Sequence, residues 1–264
     1  MKTKIFISFI LLVFFSTTAF VPSGKEKFLS KYGFKQIPAG VLQTGQQQIA
    51  MNGFYMFETE ITNKQYAEFL NYLLKKGRRE DYELCRVDST GWNKALNFEN
   101  TYPKDYHLTA EFADYPVVNV SFEAANLFCD WLENKLEKKI STVDVRLPTA
   151  EEWTYAAKGG KTDAEYPWEN IETGKKNDFE LCNYNSPNDG TCLATNYAKS
   201  YYANAYGLYN MSGNVAEMLK DKGNTKGGSW NSTILQMPIN ATDEYKGVSP
   251  PSPYIGFRPV AVIE

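Results

Sequence analysis

The stretch that most constrains the fold is Tyr206-Gly-Leu-Tyr-Asn-Met-Ser-Gly-Asn-Val-Ala-Glu217, which combines two glycines, two asparagines, a serine and a carboxylate. Glycine adopts positive φ angles at no steric cost, and asparagine tolerates the same left-handed geometry. The pattern therefore predicts a tight, folded-back loop instead of a helix or strand. Its carbonyls and the side chains of Asn210 and Glu217 are hard oxygens, the ligand type that calcium takes. These residues alone leave two interpretations open, a glycine-rich turn with a hydrogen-bonded carboxylate or a calcium site.

The composition is typical of a loop-rich protein. The chain has 264 residues, enough for one large domain, and we find no repeat, low-complexity tract or linker that divides it. Its formal net charge of −3 leaves no electrostatic footprint for nucleic acid, so no such partner is expected. Aromatic residues are numerous, with 18 Tyr, 16 Phe and 5 Trp beside 18 Gly and 12 Pro. This mixture predicts irregular backbone held together by many small aromatic clusters.

The first residues predict an export signal. Lys2 and Lys4 precede an apolar run over residues 5–15, and small residues follow at 16–19. The run is too short for a membrane-spanning helix, so we interpret residues 1–19 as a secretory signal peptide.

After the signal, residues 20–32 read as a charged lead-in and residues 33–264 as a single domain. No later segment is apolar enough to cross a membrane, so we predict no transmembrane segment in the mature chain. We expect a protein exported to the periplasm or cell envelope, or secreted.

Export makes disulfide bonds possible. Cys182 and Cys192 flank a polar loop and are the predicted pair. Cys129 lies on a predicted helix and is interpreted as a small buried hydrophobe. Cys85, the first cysteine, lies too far from the cleavage point to carry a lipid there, and none of the four has zinc-like spacing.

Three helices are predicted from capping signals. Thr62 with Gln65, and Thr149 with Glu152, form capping boxes, and Ser121 caps the helix between them. We interpret all three as core helices.

The sequence also predicts two strands and the roles of two polar residues. Alternating residues predict strands over residues 34–45 and 54–61. Arg146 is expected to reach the third helix or a nearby carboxylate. His107 is the only histidine, so it cannot form a multi-histidine metal site, and we interpret it as structural and not as a general base.

Six motifs follow one another along the chain: Glu60-Ile-Thr-Asn-Lys-Gln-Tyr-Ala-Glu-Phe-Leu70, Tyr115-Pro-Val-Val-Asn-Val-Ser121, Arg146-Leu-Pro-Thr-Ala-Glu-Glu-Trp-Thr-Tyr-Ala-Ala157, the opening stretch, Gly227-Gly-Ser-Trp230 and Gly256-Phe-Arg258. Their order resembles the formylglycine-generating enzyme (sulfatase-modifying factor) family over residues 34 to 262. The resemblance implies an α+β, single-domain fold, a loop-rich variant of the C-type-lectin fold.

A second resemblance lies between the first two helices. Asp88-Ser-Thr-Gly-Trp92, Tyr102-Pro and Phe112-Ala-Asp-Tyr-Pro116 look like the version found in gliding-motility and type 9 secretion lipoproteins of Bacteroidota. The lipid-bearing cysteine that such proteins carry is missing here.

The family resemblance implies structural calcium. Side-chain oxygens would come from Asn210 and Glu217, and backbone carbonyls from Gly213 and Val215. A second set would fall on Asn183, Tyr184, Asp189 and Thr191, where the spacing differs from the family's.

The same resemblance implies that active members oxidise a substrate cysteine with oxygen, using two cysteines that hold copper. Thiolates suit Cu(I) because both are soft. Residues 193–264 contain no cysteine, and counting from Trp230 places the two positions near Met237 and Thr242. Neither copper binding nor a catalytic residue is therefore expected.

Two further departures concern the substrate groove. Ala216 and Met218 stand where the family has tryptophans, and the connection from Glu217 to Gly227 is short. We expect a trimmed groove wall.

Three functions remain as hypotheses. The first is an exported, non-catalytic binding or assembly module with an envelope protein or glycan as partner. The second is an oxygen- and copper-dependent oxidoreductase that generates formylglycine in sulfatases. The third is a lectin-like ligand binder.

Overall fold

The structure, a computed structural model, describes residues 24–92, 105–170, 181–185, 194–248 and 251–263. Five helices and nine strands occur in these ranges. The helices are Gly24–Lys31 (α1), Asn63–Lys75 (α2), Arg79–Cys85 (α3), Phe122–Leu136 (α4) and Ala150–Ala157 (α5). The strands are Phe34–Ile37 (β1), Gly40–Thr44 (β2), Gln47–Met51 (β3), Phe54–Phe57 (β4), Val143–Arg146 (β5), Ala216–Met218 (β6), Thr225–Lys226 (β7), Ile255–Gly256 (β8) and Val260–Ile263 (β9).

The largest sheet is antiparallel and joins distant parts of the chain. Its order is β1-β4-β9-β5, so the last described strand lies between β4 and β5. A hairpin of β2 and β3 forms a second sheet. In the third sheet, β6 lies between antiparallel β7 and parallel β8, which places the end of the loop 206–217 inside a sheet. The predicted α+β, loop-rich fold is confirmed.

The helix starts agree with their capping signals. Thr62 and Gln65 form a complete capping box before α2, and Thr149 and Glu152 do the same before α5. Ser121 caps α4 by accepting a hydrogen bond from the backbone N–H of Ala124. Each cap satisfies N–H groups that a helix start leaves unpaired.

Aromatic side chains fill the core between α2, α4 and the C-terminal strands. Tyr66 stacks on Phe128 with ring centroids 5.9 Å apart, and Phe69 and Phe257 meet the same ring edge-on at 5.6 and 5.3 Å. All four are buried. The predicted aromatic clusters are therefore present, and each such pair adds about 0.5–1.5 kcal/mol beyond the burial of its area.

The sequence reading missed several boundaries and elements. The strand predicted from residue 34 is broken after Ile37, because Pro38 lacks the N–H that a continuing ladder requires. The strand predicted from residue 54 ends at Phe57. The charged lead-in contains α1, whose Leu29 is fully buried in the main core, and β5 was not predicted at all.

Two further predictions concern the signal peptide and the absence of a transmembrane segment. The predicted signal peptide, residues 1–19, lies outside the described residues. Within the described part of the chain, no helix is both long and apolar enough to span a membrane.

Candidate functional site: a buried polar hub and the region around Gly228

The loop 206–217 is tightly folded, as predicted. Gly207, Asn210, Gly213 and Asn214 all have positive φ angles, between +52° and +81°. Gly213 is the most constrained, since a Cβ there would lie 2.3 Å from the carbonyl oxygen of Asn183. The loop therefore depends on its glycines and asparagines, because other residues would be strained in this backbone.

Glu217, at the end of this loop, forms a buried ion pair. Arg258 Nη2 donates to its Oε1 at 2.7 Å, and Arg258 Nε lies 3.0 Å from both oxygens. Trp153 Nε1 donates to Oε2 at 2.7 Å. None of these side chains is exposed.

Arg258 also ties together separate pieces of backbone. Its Nη1 donates to the carbonyl of Phe57, and its Nη2 donates to the carbonyl of Tyr209. One guanidinium therefore connects β4, the loop and β6. Removing one partner of such a buried pair typically costs about 3–5 kcal/mol, because the other charge is left uncompensated.

A second buried carboxylate, Glu60, lies next to this pair. It accepts hydrogen bonds from the amide nitrogens of Asn214, at 3.0 Å, and Asn210, at 3.3 Å. Burial raises its pKa to about 8, Arg258 opposes the rise, and Glu217 adds to it. One guanidinium therefore faces two buried carboxyl groups, and Glu60, with its raised pKa, is largely protonated near neutral pH.

Asn210 provides an oxygen that suits a cation. Its amide nitrogen donates to Glu60 and to the carbonyls of Tyr197 and Ala198, at 3.2 and 3.1 Å. These acceptors fix the orientation of the amide. The opposite oxygen, Oδ1, is buried and has no hydrogen-bond partner. An unsatisfied buried acceptor costs about 1–3 kcal/mol, which a metal ion would offset.

Asn183 shows the same asymmetry. Its amide nitrogen donates to the carbonyl of Ala194 at 2.9 Å and to Asn214 Oδ1 at 3.2 Å. Its Oδ1 is likewise buried and without a partner. Asn210, expected to ligate calcium through its side chain, and Asn183, expected in the second set, therefore each hold an unused amide oxygen, and this donor chemistry fits the ion.

The structure describes every residue of the first predicted calcium set but only part of the second. Asn210, Gly213, Val215 and Glu217 share one loop, but a calcium ion there would have to share Glu217 with Arg258 and Trp153. In the second set, Asn183 is placed, and the Tyr184 hydroxyl is buried without a hydrogen-bond partner. Asp189 and Thr191 lie outside the described residues. No cluster of three or more His, Cys, Asp or Glu occurs in the parts of the chain that are described.

The two positions counted from Trp230 lie in unlike surroundings. Met237 is fully buried, whereas Thr242 is exposed. The side chains of Met237 and Ser232 both approach Gly228: a Cβ placed on Gly228 would lie 2.7 Å from Met237 Cε and 3.3 Å from Ser232 Oγ. Counting from the motif did not identify this serine, because the chain folds back over Gly228.

Hydroxyl groups occupy the space around Ser232. Its Oγ bonds to Glu244 and accepts from the backbone N–H of Ser229 at 2.7 Å, and Ser229 Oγ lies 2.6 Å from the Tyr245 hydroxyl. The adjoining cavity, which Thr242 and Tyr245 help to line, holds only about 10 Å³. That volume suits about one water molecule.

The three described cysteines are buried. Cys182 is buried, and its predicted partner Cys192 lies outside the described residues, so the bridge between them stays a prediction. Cys182 packs in an apolar cluster with Trp168 and Met237, and burial raises its pKa to about 12. Cys129 is free and buried on α4, as predicted.

Two further polar predictions concern Arg146 and His107. Arg146 makes a two-pronged ion pair with Glu152 at 2.7 and 2.8 Å, the scaffold role expected of it. His107 Nδ1 lies 2.9 Å from Asn63 Oδ1, and burial lowers the pKa of its ring to about 3. Asn63 donates from its nitrogen to two carbonyls, so its oxygen accepts from His107.

These features define a class of protein: a single α+β domain with little regular structure, organised around a glycine- and asparagine-rich loop on a buried Glu–Arg pair. The family model for the "Sulfatase-modifying factor enzyme 1-like domain" matches residues 16–263, and the chain belongs to this family. The predicted family is therefore confirmed.

Relatives and solved structures agree. The formylglycine-generating enzyme of Bos taurus is 26% identical over 239 residues, which cover 76% of this chain and 60% of that enzyme. A protein named inactive C-alpha-formylglycine-generating enzyme 2, also from Bos taurus, is 33% identical over 110 residues, 40% of this chain and 33% of that protein. The crystal structure of CarF shares the fold, with a TM-score of 0.62 and 21% identity over 88% of this chain and 98% of CarF. This chain thus spans less than two thirds of either bovine relative.

Proposed function

We propose that this protein is an exported, non-catalytic member of its family that serves as a binding or assembly module in the cell envelope. The observation that carries the proposal is the closed region around Gly228. There Met237 is buried beside Ser232, and the adjoining cavity has room for about one water. A cavity of this size has no room for a substrate peptide.

The side chains of this region also lack the required chemistry. Soft thiolates hold Cu(I), whereas a thioether binds it weakly and a hydroxyl is a hard ligand. Ser232 is further committed to Glu244 and Ser229 by hydrogen bonds. The relative named inactive shows that this family includes members described as lacking the activity.

Copper titration tests this proposal directly. The purified protein is titrated with Cu(I) against a chelator, and oxygen consumption is then followed with a cysteine-containing peptide. We expect no tight Cu(I) binding and no oxygen uptake above the protein-free control. Peptide-dependent oxygen consumption would instead establish the oxidoreductase that is the second candidate.

Calcium is the second part of the proposal. We propose that the ion binds at Asn210 Oδ1, where its charge would favour the ionised form of the neighbouring Glu60 carboxyl, with a second ion at Asn183. Support comes from the two unsatisfied amide oxygens and from the shared guanidinium. The role is structural, since a bound ion stabilises only the folded loop.

The partner and the location follow from the sequence. The segment that includes Asp88–Trp92 resembles gliding-motility and type 9 secretion proteins of Bacteroidota, and the N-terminus resembles an export signal. We therefore propose an envelope protein or glycan as partner. Affinity capture from the native envelope with immobilised protein tests this: recovery of no protein or glycan above a mock column would count against an assembly role.

A further inference from the structure

A cleft distinct from the closed region opens between the start of α2 and the segment before the loop 206–217. Its walls include Phe57, Glu58, Thr59, Asp114, Tyr197 and Lys199, and its volume is about 400 Å³. Sites for small ligands typically measure about 300–1,000 Å³ and combine apolar walls with a few placed polar groups. We call it the Tyr197 cleft.

One end of the Tyr197 cleft carries a fixed ion network. Glu58 is mostly buried and pairs with Lys35 at 3.2 Å and with Lys199. Burial opposes its ionisation, but the hydrogen bonds from Lys199 and Lys35 outweigh this and hold the pKa of the carboxyl below its usual value. The Lys199 ammonium also lies 5.1 Å from the ring centre of Tyr209, so it is held at the cleft while staying exposed.

The other end carries an aromatic ring and a carboxylate. The Tyr197 side chain is 50% exposed, and its ring packs on Tyr115 with centroids 4.5 Å apart. Asp114 is exposed, and its carboxylate makes no ion pair or hydrogen bond with the described part of the chain. The backbone N–H of Ala198 donates to the carbonyl of Asp114 at 3.0 Å, which joins the two walls.

The cleft wall is attached to the polar hub. Asn210 donates to the carbonyls of both Tyr197 and Ala198, at 3.2 and 3.1 Å. The segment that presents the tyrosine ring is therefore positioned before any ligand arrives. Such preorganisation lowers the entropic cost of binding.

The charges of the cleft restrict its occupant. Lys35, which pairs with Glu58 from outside the cleft wall, and Lys199 balance the carboxylates of Glu58 and Asp114, so the ion network and Asp114 together carry no net charge. A phosphorylated or other anionic ligand would be repelled by the Asp114 carboxylate. A neutral ligand with many hydroxyls would find an acceptor in Asp114, donors in Lys199, and an apolar face in Tyr197.

We propose that the Tyr197 cleft binds a neutral saccharide, with one sugar face packed on the Tyr197 ring and its hydroxyls bonded to Asp114 and Lys199. Tyrosine suits this role, because its ring offers a large apolar face at low entropic cost. The inference deepens the proposed binding role and names the chemical class of the ligand.

The test is a titration of the calcium-loaded protein with chitotriose, xylotriose and mannotriose, followed by NMR chemical shifts or calorimetry, with trialanine as a peptide probe. We expect at least one saccharide to bind at millimolar concentration or below. Tyr197→Ala and Asp114→Asn should each weaken binding by about tenfold or more. The matched controls are Tyr202→Ala and Asp105→Asn, at exposed positions outside the cleft, and they should bind as the wild type does.

Either of two results would overturn the inference: no saccharide binds, or the variants and their controls lose affinity equally. Binding of trialanine without any saccharide would also overturn it and make the cleft a peptide site. Each variant is first shown to keep the wild-type melting temperature. Saccharide binding and oxygen consumption are measured separately, so failure of this inference leaves the non-catalytic role intact, and the reverse also holds.

Discussion

The loop 206–217 and the segment from Gly227 to Tyr245 are neighbours in space, but they differ in how fully they carry the residues that the family resemblance implies. Gly213 N–H donates to the carbonyl of Gly227 at 2.8 Å, and Trp230 N–H donates to that of Asn214 at 2.9 Å. The loop keeps its motif and its buried charges. The segment keeps Gly227–Trp230 but has hydroxyls and a thioether where the family resemblance implies thiolates. Scaffold and chemistry are thus separable in adjacent parts of one fold, and the following experiments test that contrast.

The largest effect is expected from Arg258→Leu, which leaves Glu217 buried without its cation. We expect a loss of about 3–5 kcal/mol in the free energy of unfolding, measured by urea denaturation. Adding Glu217→Gln should recover part of the loss, because the uncompensated charge is then removed. The control Lys222→Leu breaks an exposed pair with Glu123 and should cost no more than about 1 kcal/mol.

Gly213→Ala should cost about 2–4 kcal/mol, since the new Cβ meets the Asn183 carbonyl and the backbone has positive φ. Gly77→Ala isolates the strain, because Gly77 also has positive φ but has nothing within 4 Å of the new Cβ. We expect about 1 kcal/mol there. Equal losses at both positions would show that the close contact with Asn183 is unimportant.

Calcium removal should destabilise the loop 206–217 and the segment around Asn183. At a free concentration of one hundred times Kd, the ion adds about 2.7 kcal/mol of stability, so EDTA should lower the melting temperature by several degrees. Asn210→Ala should remove the loop's share of that response and leave the share of the second ion at Asn183. Asn204→Ala, another buried asparagine whose amide bonds α5 carbonyls, should be less stable yet keep the calcium response.

The lowered pKa of His107 predicts that acid destabilises the folded protein. Its pKa is about 3 in the folded protein and 6.5 when unperturbed, so the unfolded chain takes up the proton first. Stability from neutral His107 is present above pH 6.5 and is lost as the pH falls from 6.5 toward 3. Part of the ring stays accessible, so we expect a loss of about 2 kcal/mol between neutral pH and pH 4. His107→Asn should flatten this part of the profile, and an unchanged profile would contradict the assignment.

The smallest change in stability is expected from Ser232→Cys combined with Met237→Cys, about 1–2 kcal/mol at most for small buried replacements. Both side chains lie over Gly228, so two thiolates there should bind Cu(I) tightly in a chelator competition. Met237→Cys combined with Thr242→Cys is the matched control and should bind weakly, because Thr242 is exposed. The opposite ranking would show that Thr242, and not Ser232, lies where the family resemblance places the second copper-binding cysteine.

Local chemistry in the sequence predicted the helix starts well. The caps at Thr62, Ser121 and Thr149 depend on residues only three positions apart, and all three are present. Composition and resemblance predicted the fold class. The tight loop followed from its glycines and asparagines, whose backbone preferences are intrinsic.

The hub itself could not be predicted, because its contacts span the chain. Glu60 meets Asn210, 150 positions away, and Trp153 meets Glu217, 64 positions away. No local pattern carries such pairings. The sequence did place Glu60 and Arg258 at the ends of family motifs, and that was the available signal for both.

The position of β9 has a consequence for biogenesis. Because β9 lies between β4 and β5, the central sheet stays incomplete until residues 260–263 have left the ribosome. The long sequence separation of this pairing is of the non-local kind that slows folding. A chain truncated before residue 260 would lack the strand that joins β4 to β5, so we expect it to leave this sheet in two parts.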